Sequence, residues 1–304
     1  MRARRFLTTM VATSALFPLV AGCGDTGTSG TTGASGTASV TCPGGKVRFG
    51  IEPYEDPAKL KPAYEVLAAA LQRKLNCPVE LKIVEDYSAE VLAMRNGQLE
   101  MAQFGPLGFV FASQLADTQA VASFADATGA LTTYTGGIWV PTDSPITSIK
   151  DLALSSPAST SGDALPRYAL KTEGIAESAL QIDYAGGHPE ALLALVNDKV
   201  DAAEINSQQL ATSQAAGTFD PSKYRQIWKS EPIPNDPITV YGKLDQKFRD
   251  AVAKALLELD TADVTKVGAF LDVNPPGPLV AVTKDTYKPL FDLATALNLT
   301  EKDA

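Results

Sequence analysis

The chain has 304 residues, 45% of them hydrophobic, with 26 lysines and arginines against 35 acidic side chains and a formal net charge of −9. That balance argues against a nucleic-acid binder, because a phosphate backbone is held by a basic face and the sequence has no Lys/Arg cluster. Length and apolar content support a sizeable core, most naturally divided between two lobes.

The first segment reads as an address. Arg2, Arg4 and Arg5 precede a mostly apolar, uncharged run, residues 6–19, which leads through Val20-Ala21-Gly22 into Cys23. This is the layout of a secretory signal, and its end resembles a bacterial lipobox, with residues 1–22 removed and lipid attached at Cys23. The run falls short of the ~20 apolar residues of a spanning helix, and Thr8, Thr9, Thr13, Ser14 and Pro18 interrupt it. Residues 23–45 are rich in Gly, Ser, Thr and Ala and cannot bury enough apolar surface to order themselves, so a flexible tether is expected there. An extracytoplasmic, lipid-anchored body then begins near Lys46. Loss of the leader removes three arginines and no acids, leaving 23 basic against 35 acidic side chains. Cys42 and Cys77 remain as an even pair in an oxidising compartment, where a disulfide would tie the end of the tether to the first helix–strand corner. Two free thiols or a soft-metal site are the alternatives, although no third Cys or nearby His completes a metal ligand set.

In the body, strand and helix periodicities alternate. "KVRFGIE" (46–52) reads as a strand, and residues 57–75 as a long amphipathic helix with Leu60, Tyr64, Leu67, Leu71 and Leu75 on one stripe. "PVELKIV" (78–84) is a strand, 88–96 a helix, "LEMAQF" (99–104) a short strand, and "GPLGFVFASQLA" (105–116) a buried helix opened by Gly105-Pro106. "AVASFA" and "TTYTGGIWV" are further strands. After "PTDSPI" (141–146) the same order restarts: a strand near 151–155, a helix after Gly162, "LQIDYA" as strand and "PEALLALVND" as helix. A strand "KVDAAEI", a helix from Ser207 and a strand "YRQIWKS" follow, and helices are expected at 248–259, 262–270 and 286–297. The expectation is an α/β fold with mostly parallel sheets. Lobe 1 comprises 46–141 plus 239–304 and lobe 2 comprises 142–238, with crossings near 141 and 238. Paired crossings allow a cleft to close by hinge motion, and ligands collect at the carboxyl ends of strands.

At one such end stands Ser159-Thr160-Ser161-Gly162, before a helix. A helix start offers unsatisfied N–H groups and a positive dipole end; three hydroxyls add donors, and glycine lets the backbone come close. Ordinary N-capping accounts for one of these hydroxyls without any function. Local neutral donors are also what an acidic protein needs to hold an anion against its own field. "AGGHPEALLAL" repeats the arrangement, with His188, the only histidine, at a second helix start. A lone histidine is more often a satisfied core or surface group than a ligand contact; at this turn it could donate from one nitrogen. Tyr87 and Phe104-Gly105 lie at first-lobe strand ends, where they could face the cleft or simply wall it. Asp236, in "PIPNDPI", would repel an oxyanion unless the ligand carries a proton or an ammonium there; otherwise it is a turn residue before Pro237.

These segments together resemble the phosphonate-type substrate-binding proteins of ABC importers, a family that includes phosphite and phosphate binders. The resemblance is carried by "FGIEPYEDPAKLKPAYEVLAAAL", "EDYSAEVLAMRNGQLEMAQFGPLGFVFAS", "SPITSIKDLALSSPASTSGDALP", "GGHPEALLALVNDKVDAAEIN" and "IPNDPITVYGKL". It implies a two-lobed type II periplasmic-binding-protein fold that closes over its ligand, no cofactor and no metal. Its partners would be an ABC permease with its ATPase, and the chain would act as a monomer. By the same resemblance Ser159, Thr160 and Ser161 would hold phosphorus oxygens, His188 would donate, Tyr87 would reach across, and Asp236 would accept from the ligand. Two residues depart from the pattern: Phe104 stands where many members carry Tyr, and Gln208 where aminoalkylphosphonate binders place a glutamate. The lean is therefore toward phosphite or a small phosphonate, with phosphate also open, and Asp183 and Glu204 are left without a role.

A hydrolase with Ser161 as nucleophile and His188 as base lacks a G-x-S-x-G elbow. A metal hydrolase is disfavoured by a single histidine and the lack of an H-E-x-x-H motif. A sensing or structural lipoprotein for another small polar solute is the remaining alternative.

Overall fold

Val47, Phe49 and Ile51 alternate with Arg48 and Gly50 along β1 (Val47–Ile51) and are fully buried, the period of two expected of a strand with a helix laid on it. That helix is α1 (Pro57–Leu75). Asp56 caps it by accepting the Ala58 N–H at 2.8 Å, and Asn76 ends it in the left-handed region at φ 51°. The stripe of Leu60, Tyr64, Leu67, Leu71 and Leu75 is buried as expected. The computed structural model describes residues 41–147, 151–154, 156–179, 181–300 and 303, the side chains of 151–154 and 181 excepted. The leader, Cys23 and the tether up to residue 40 lie outside the described residues.

β2 (Val79–Ile83), α2 (Tyr87–Arg95), β3 (Met101–Gln103), α3 (Pro106–Ala116) and β4 (Gln119–Asp126) follow. With β12 (Ile238–Val240) and β13 (Pro276–Val280) the strands form a six-stranded sheet in the order β13-β4-β12-β3-β1-β2. β1 runs parallel to β2 and β3, whereas β12 is antiparallel to β3 and β4, and β13 is antiparallel to β4. The sheet is therefore mixed rather than mostly parallel. β12 and β13 enter only after the chain has visited a second sheet, and they run back against the strands already laid down.

That second sheet contains β6 (Gly137–Pro141), β7 (Asp151–Leu154), β8 (Gln181–Tyr184), β9 (Ala203–Glu204) and β10 (Tyr224–Lys229), in the order β10-β6-β9-β7-β8. Helices α4 (Leu165–Thr172), α5 (His188–Val196) and α6 (Ser207–Ala215) accompany it, and the chain ends through α7 (Gln246–Leu257), α8 (Thr261–Phe270) and α9 (Lys288–Leu297). "TTYTGGIWV" divides into β5 (Thr133–Tyr134) and β6. β5 pairs antiparallel with β11 (Ile233–Pro234), Tyr134 opposite Ile233, so the two connections between the sheets run side by side as a short ribbon. β6, which ends at Pro141, hydrogen-bonds into the second sheet.

The main core surrounds the first sheet, and it also takes in Ala158 and Ala164, which flank the Ser-Thr-Ser turn. Two smaller clusters fill the second sheet's surroundings. Cys42 and Cys77 are joined in a disulfide with their Cα atoms 5.6 Å apart, which settles the alternatives left by the sequence.

Candidate functional site

After β7 the backbone takes Ala158 through a left-handed conformation, φ 63°, and Ser159 then caps the next turn by accepting the Gly162 N–H at 3.1 Å. The turn over Thr160–Ala164 is a wide π turn, with the Ala164 N–H reaching the Ser159 carbonyl at 3.1 Å, and it continues into α4. Ser159, Thr160, Ser161 and Gly162 are all buried. The one acid in the turn is tied down elsewhere: Asp163 accepts the Tyr184 hydroxyl at 2.8 Å and the Ala158 N–H at 3.3 Å.

The other lobe meets this turn directly. The Leu107 N–H, in the first turn of α3, donates to Thr160 Oγ1 at 2.8 Å, so a second helix start faces the same place. Tyr87, at the start of α2, lies beside Ser159, and Tyr134 in the ribbon lies beside Thr160. Burial pushes both phenols well above their ordinary range, so each keeps its proton as a donor.

His188 opens α5, and its Nε2 lies 3.3 Å from Ser159 Oγ. The serine beside the histidine is therefore Ser159, not the Ser161 considered from sequence. Ser161 Oγ is approached by Asn206 Nδ2 at 3.5 Å. On its far side His188 Nδ1 meets Glu204 Oε2 at 3.1 Å. Glu204 had no assigned role, and Tyr134 was not singled out at all. Neither was findable by local spacing, since each acquires its neighbour only through pairing of distant strands.

Asp236 lies on the first-lobe side, in the segment that leaves the ribbon. Ser123 Oγ fixes this segment by donating to the Asn235 carbonyl at 3.0 Å and the Asp236 carbonyl at 2.9 Å. Burial raises the Asp236 carboxyl to about 7, with the Gln103 amide and His188 pulling the other way. Glu52 and Glu90, both buried, are held well above the usual carboxylate range, by burial first and then by the charge of Asp236. The Gly105 N–H favours Glu52, and a Cβ at Gly105 would come within 3.1 Å of both its carboxylate oxygens, so glycine permits the approach. Phe104 is a fully buried core residue whose N–H donates to the Pro237 carbonyl at 3.3 Å. Gln208 turns its amide nitrogen to Asn235 Oδ1 at 2.7 Å and to the Leu271 carbonyl at 3.3 Å. Among the described residues no group of His, Cys, Asp and Glu could hold a metal ion.

The arrangement brings hydroxyl and N–H donors of one lobe against phenols and buried carboxyls of the other. The pattern that defines the family described as "ABC transporter, phosphonate, periplasmic substrate-binding protein" matches residues 49–287. The chain belongs to this family. Its description is of a substrate-binding protein, not an enzyme; Ser159, His188 and Glu204 have the connectivity of a catalytic triad, but Ser159 is engaged as a helix cap. The phosphonates-binding periplasmic protein of Escherichia coli is 28% identical over 216 residues, 68% of this chain and 64% of that protein. The phosphate-import protein PhnD of Mycolicibacterium smegmatis is 29% identical over 197 residues, 60% of this chain and 61% of that protein. The matches thus span less than two thirds of either relative's length. PhnD1 from Prochlorococcus marinus, solved in complex with methylphosphonate, superposes with a TM-score of 0.73 at 17% identity, covering 84% of this chain and 99% of that one. At that identity the likeness concerns the fold, which is the two-lobed type II periplasmic-binding-protein architecture of the family.

Proposed function

We propose that this protein captures a small phosphorus oxyanion outside the cytoplasm and delivers it to an ABC permease with its ATPase. The ligand is phosphite or a small phosphonate, with phosphate as the third candidate. The observation that carries the reading is the convergence, in one buried place, of the Ser159–Thr160–Ser161 turn, His188, Tyr87 and Asp236. Ser159, Thr160, Ser161 and the N–H groups of their turn hold phosphorus oxygens, and His188 and Tyr87 add donors. Asp236 accepts a hydrogen bond from a ligand oxygen that carries a proton, which favours a phosphorus acid over sulfate. Phe104 contributes no hydroxyl. Gln208 is neutral and already bonded, so it offers no charge to an ammonium group, and an aminoalkylphosphonate is disfavoured.

Lobe 1 comprises 46–132 with 237–304, and lobe 2 comprises 137–230. The lobes open and close by bending at the β5–β11 ribbon. The protein acts as a monomer held to the membrane by lipid at Cys23. Calorimetric titration of the purified protein should give saturable binding to phosphite, methylphosphonate or phosphate. Combining Ser161→Ala with His188→Ala should abolish it. Heat from an unrelated solute and none from these three would overturn the ligand assignment.

A further inference from the structure

The two ring nitrogens of His188 face partners with different demands. Nδ1 lies 3.1 Å from Glu204 Oε2, in a pair buried to 3% and 0% exposure, and the other Glu204 oxygen has no hydrogen-bond partner in the protein. Taken as a carboxylate, Glu204 only accepts, and the contact then places a proton on Nδ1. A neutral imidazole with its proton there has a lone pair on Nε2. That lone pair suits the Ser159 hydroxyl, 3.3 Å away, but it repels the oxygens of an anion. For Nε2 to donate to an oxyanion while Nδ1 donates to Glu204, the ring must carry both protons. The helix works against this, because His188 is the first residue of α5, where the dipole disfavours a cation.

We infer that Glu204 is the positioning residue that makes His188 an imidazolium donor when the oxyanion is bound, so that capture brings a proton into the site. This rests on the function proposed above. The Glu204–His188 pair then carries no net charge, which fits an acidic chain that holds an anion without a basic patch. The other groups that reach the ring are Ser159 and, from the opposite lobe, Asp236, while the protonated phenols of Tyr87 and Tyr134 lie beside Ser159 and Thr160. Glu190, in the first turn of α5, is the remaining acid on the same helix. Glu204 is nonetheless the carboxylate bonded to the ring.

Because the chain has one histidine, a ¹⁵N-histidine-labelled sample gives one imidazole spectrum. The full chain is saturated with phosphite, methylphosphonate or phosphate, whichever binds tightest, at pH 8, where a free histidine of pKa about 6.5 is neutral. The inference predicts two protonated ring nitrogens. Glu204→Gln, whose amide oxygen can still accept from Nδ1, should leave a neutral ring at the same pH and raise the dissociation constant at least tenfold. A neutral ring in the saturated wild type overturns the inference, whichever nitrogen holds the proton, and needs no variant. An imidazolium that persists in Glu204→Gln, or that disappears only in Asp236→Asn, also overturns it. If none of the three anions binds, the function reading falls and takes the inference with it; if one binds and the ring stays neutral, the inference alone falls.

Discussion

Asp236 stands where both lobes bring buried polar groups together, and its chemistry follows from having little else to pair with. Water is excluded from a carboxyl whose neighbours are Gln103, His188 and two further buried acids, so the neutral form is favoured and titration moves to about 7. An Asp with an ordinary value of 3.8 that titrates near 7 in the fold binds more protons folded than unfolded between those limits. Its contribution to stability is therefore complete below about 4 and is lost as pH rises through 7. Glu52 and Glu90 are shifted in the same direction. In thermal melts of the ligand-free protein, Asp236→Asn should lessen the fall in melting temperature between pH 5 and pH 8, by a few kcal/mol of stability at the alkaline end. An unchanged pH dependence would mean that Asp236 is not held in its neutral form. The same raised value makes its oxygens good acceptors of a hydrogen bond from an acidic ligand O–H, as proposed above.

At the scale of elements, the site is two helix starts facing each other through Thr160. Its Oγ1 accepts the Leu107 N–H at the opening of α3 while its own turn opens the path into α4. Thr160→Val keeps the side-chain shape and removes this acceptor. Leaving that buried N–H unpaired costs about 1–3 kcal/mol. The variant should melt several degrees lower and bind the oxyanion more weakly, as read by thermal melts and titration; unchanged values in both would show that the contact does not matter. The elements that build these helix starts were legible because their signals are local: the Leu60-to-Leu75 stripe of α1, Gly105-Pro106 at α3, the hydroxyl run, and the Gly-Gly-His opening of α5. The rest depends on distant partners. β12 has three residues and β13 carries two prolines, so neither shows a period of its own, and both exist because β3 and β4 offer them edges. Glu204 looked out of place in an anion site because its partner, His188, lies on another element. Ser161 was paired with that histidine from sequence because spacing does not tell which hydroxyl of the turn points toward it.

For the molecule as a whole, the two sheets are joined by a ribbon of two short strands, and the donor-rich turn of the second sheet rests against the core of the first. Donors and acceptors from both sheets meet in one buried place, which neither supplies alone. The disulfide between Cys42 and Cys77 ties the segment just before β1 to the end of α1. The family and its two-lobed fold could be read from the sequence, but the sheet to which β6 belongs could not, because β6 declares it only by pairing with β9 and β10. The most direct measurement is a crystal structure of the protein grown with the tightest-binding of phosphite, methylphosphonate and phosphate. The account predicts a phosphorus atom enclosed between the lobes, its oxygens within hydrogen-bonding distance of the Ser161 hydroxyl, the turn's N–H groups and His188 Nε2. A ligand bound outside that crevice, or inside it without contact to the turn, would contradict the account.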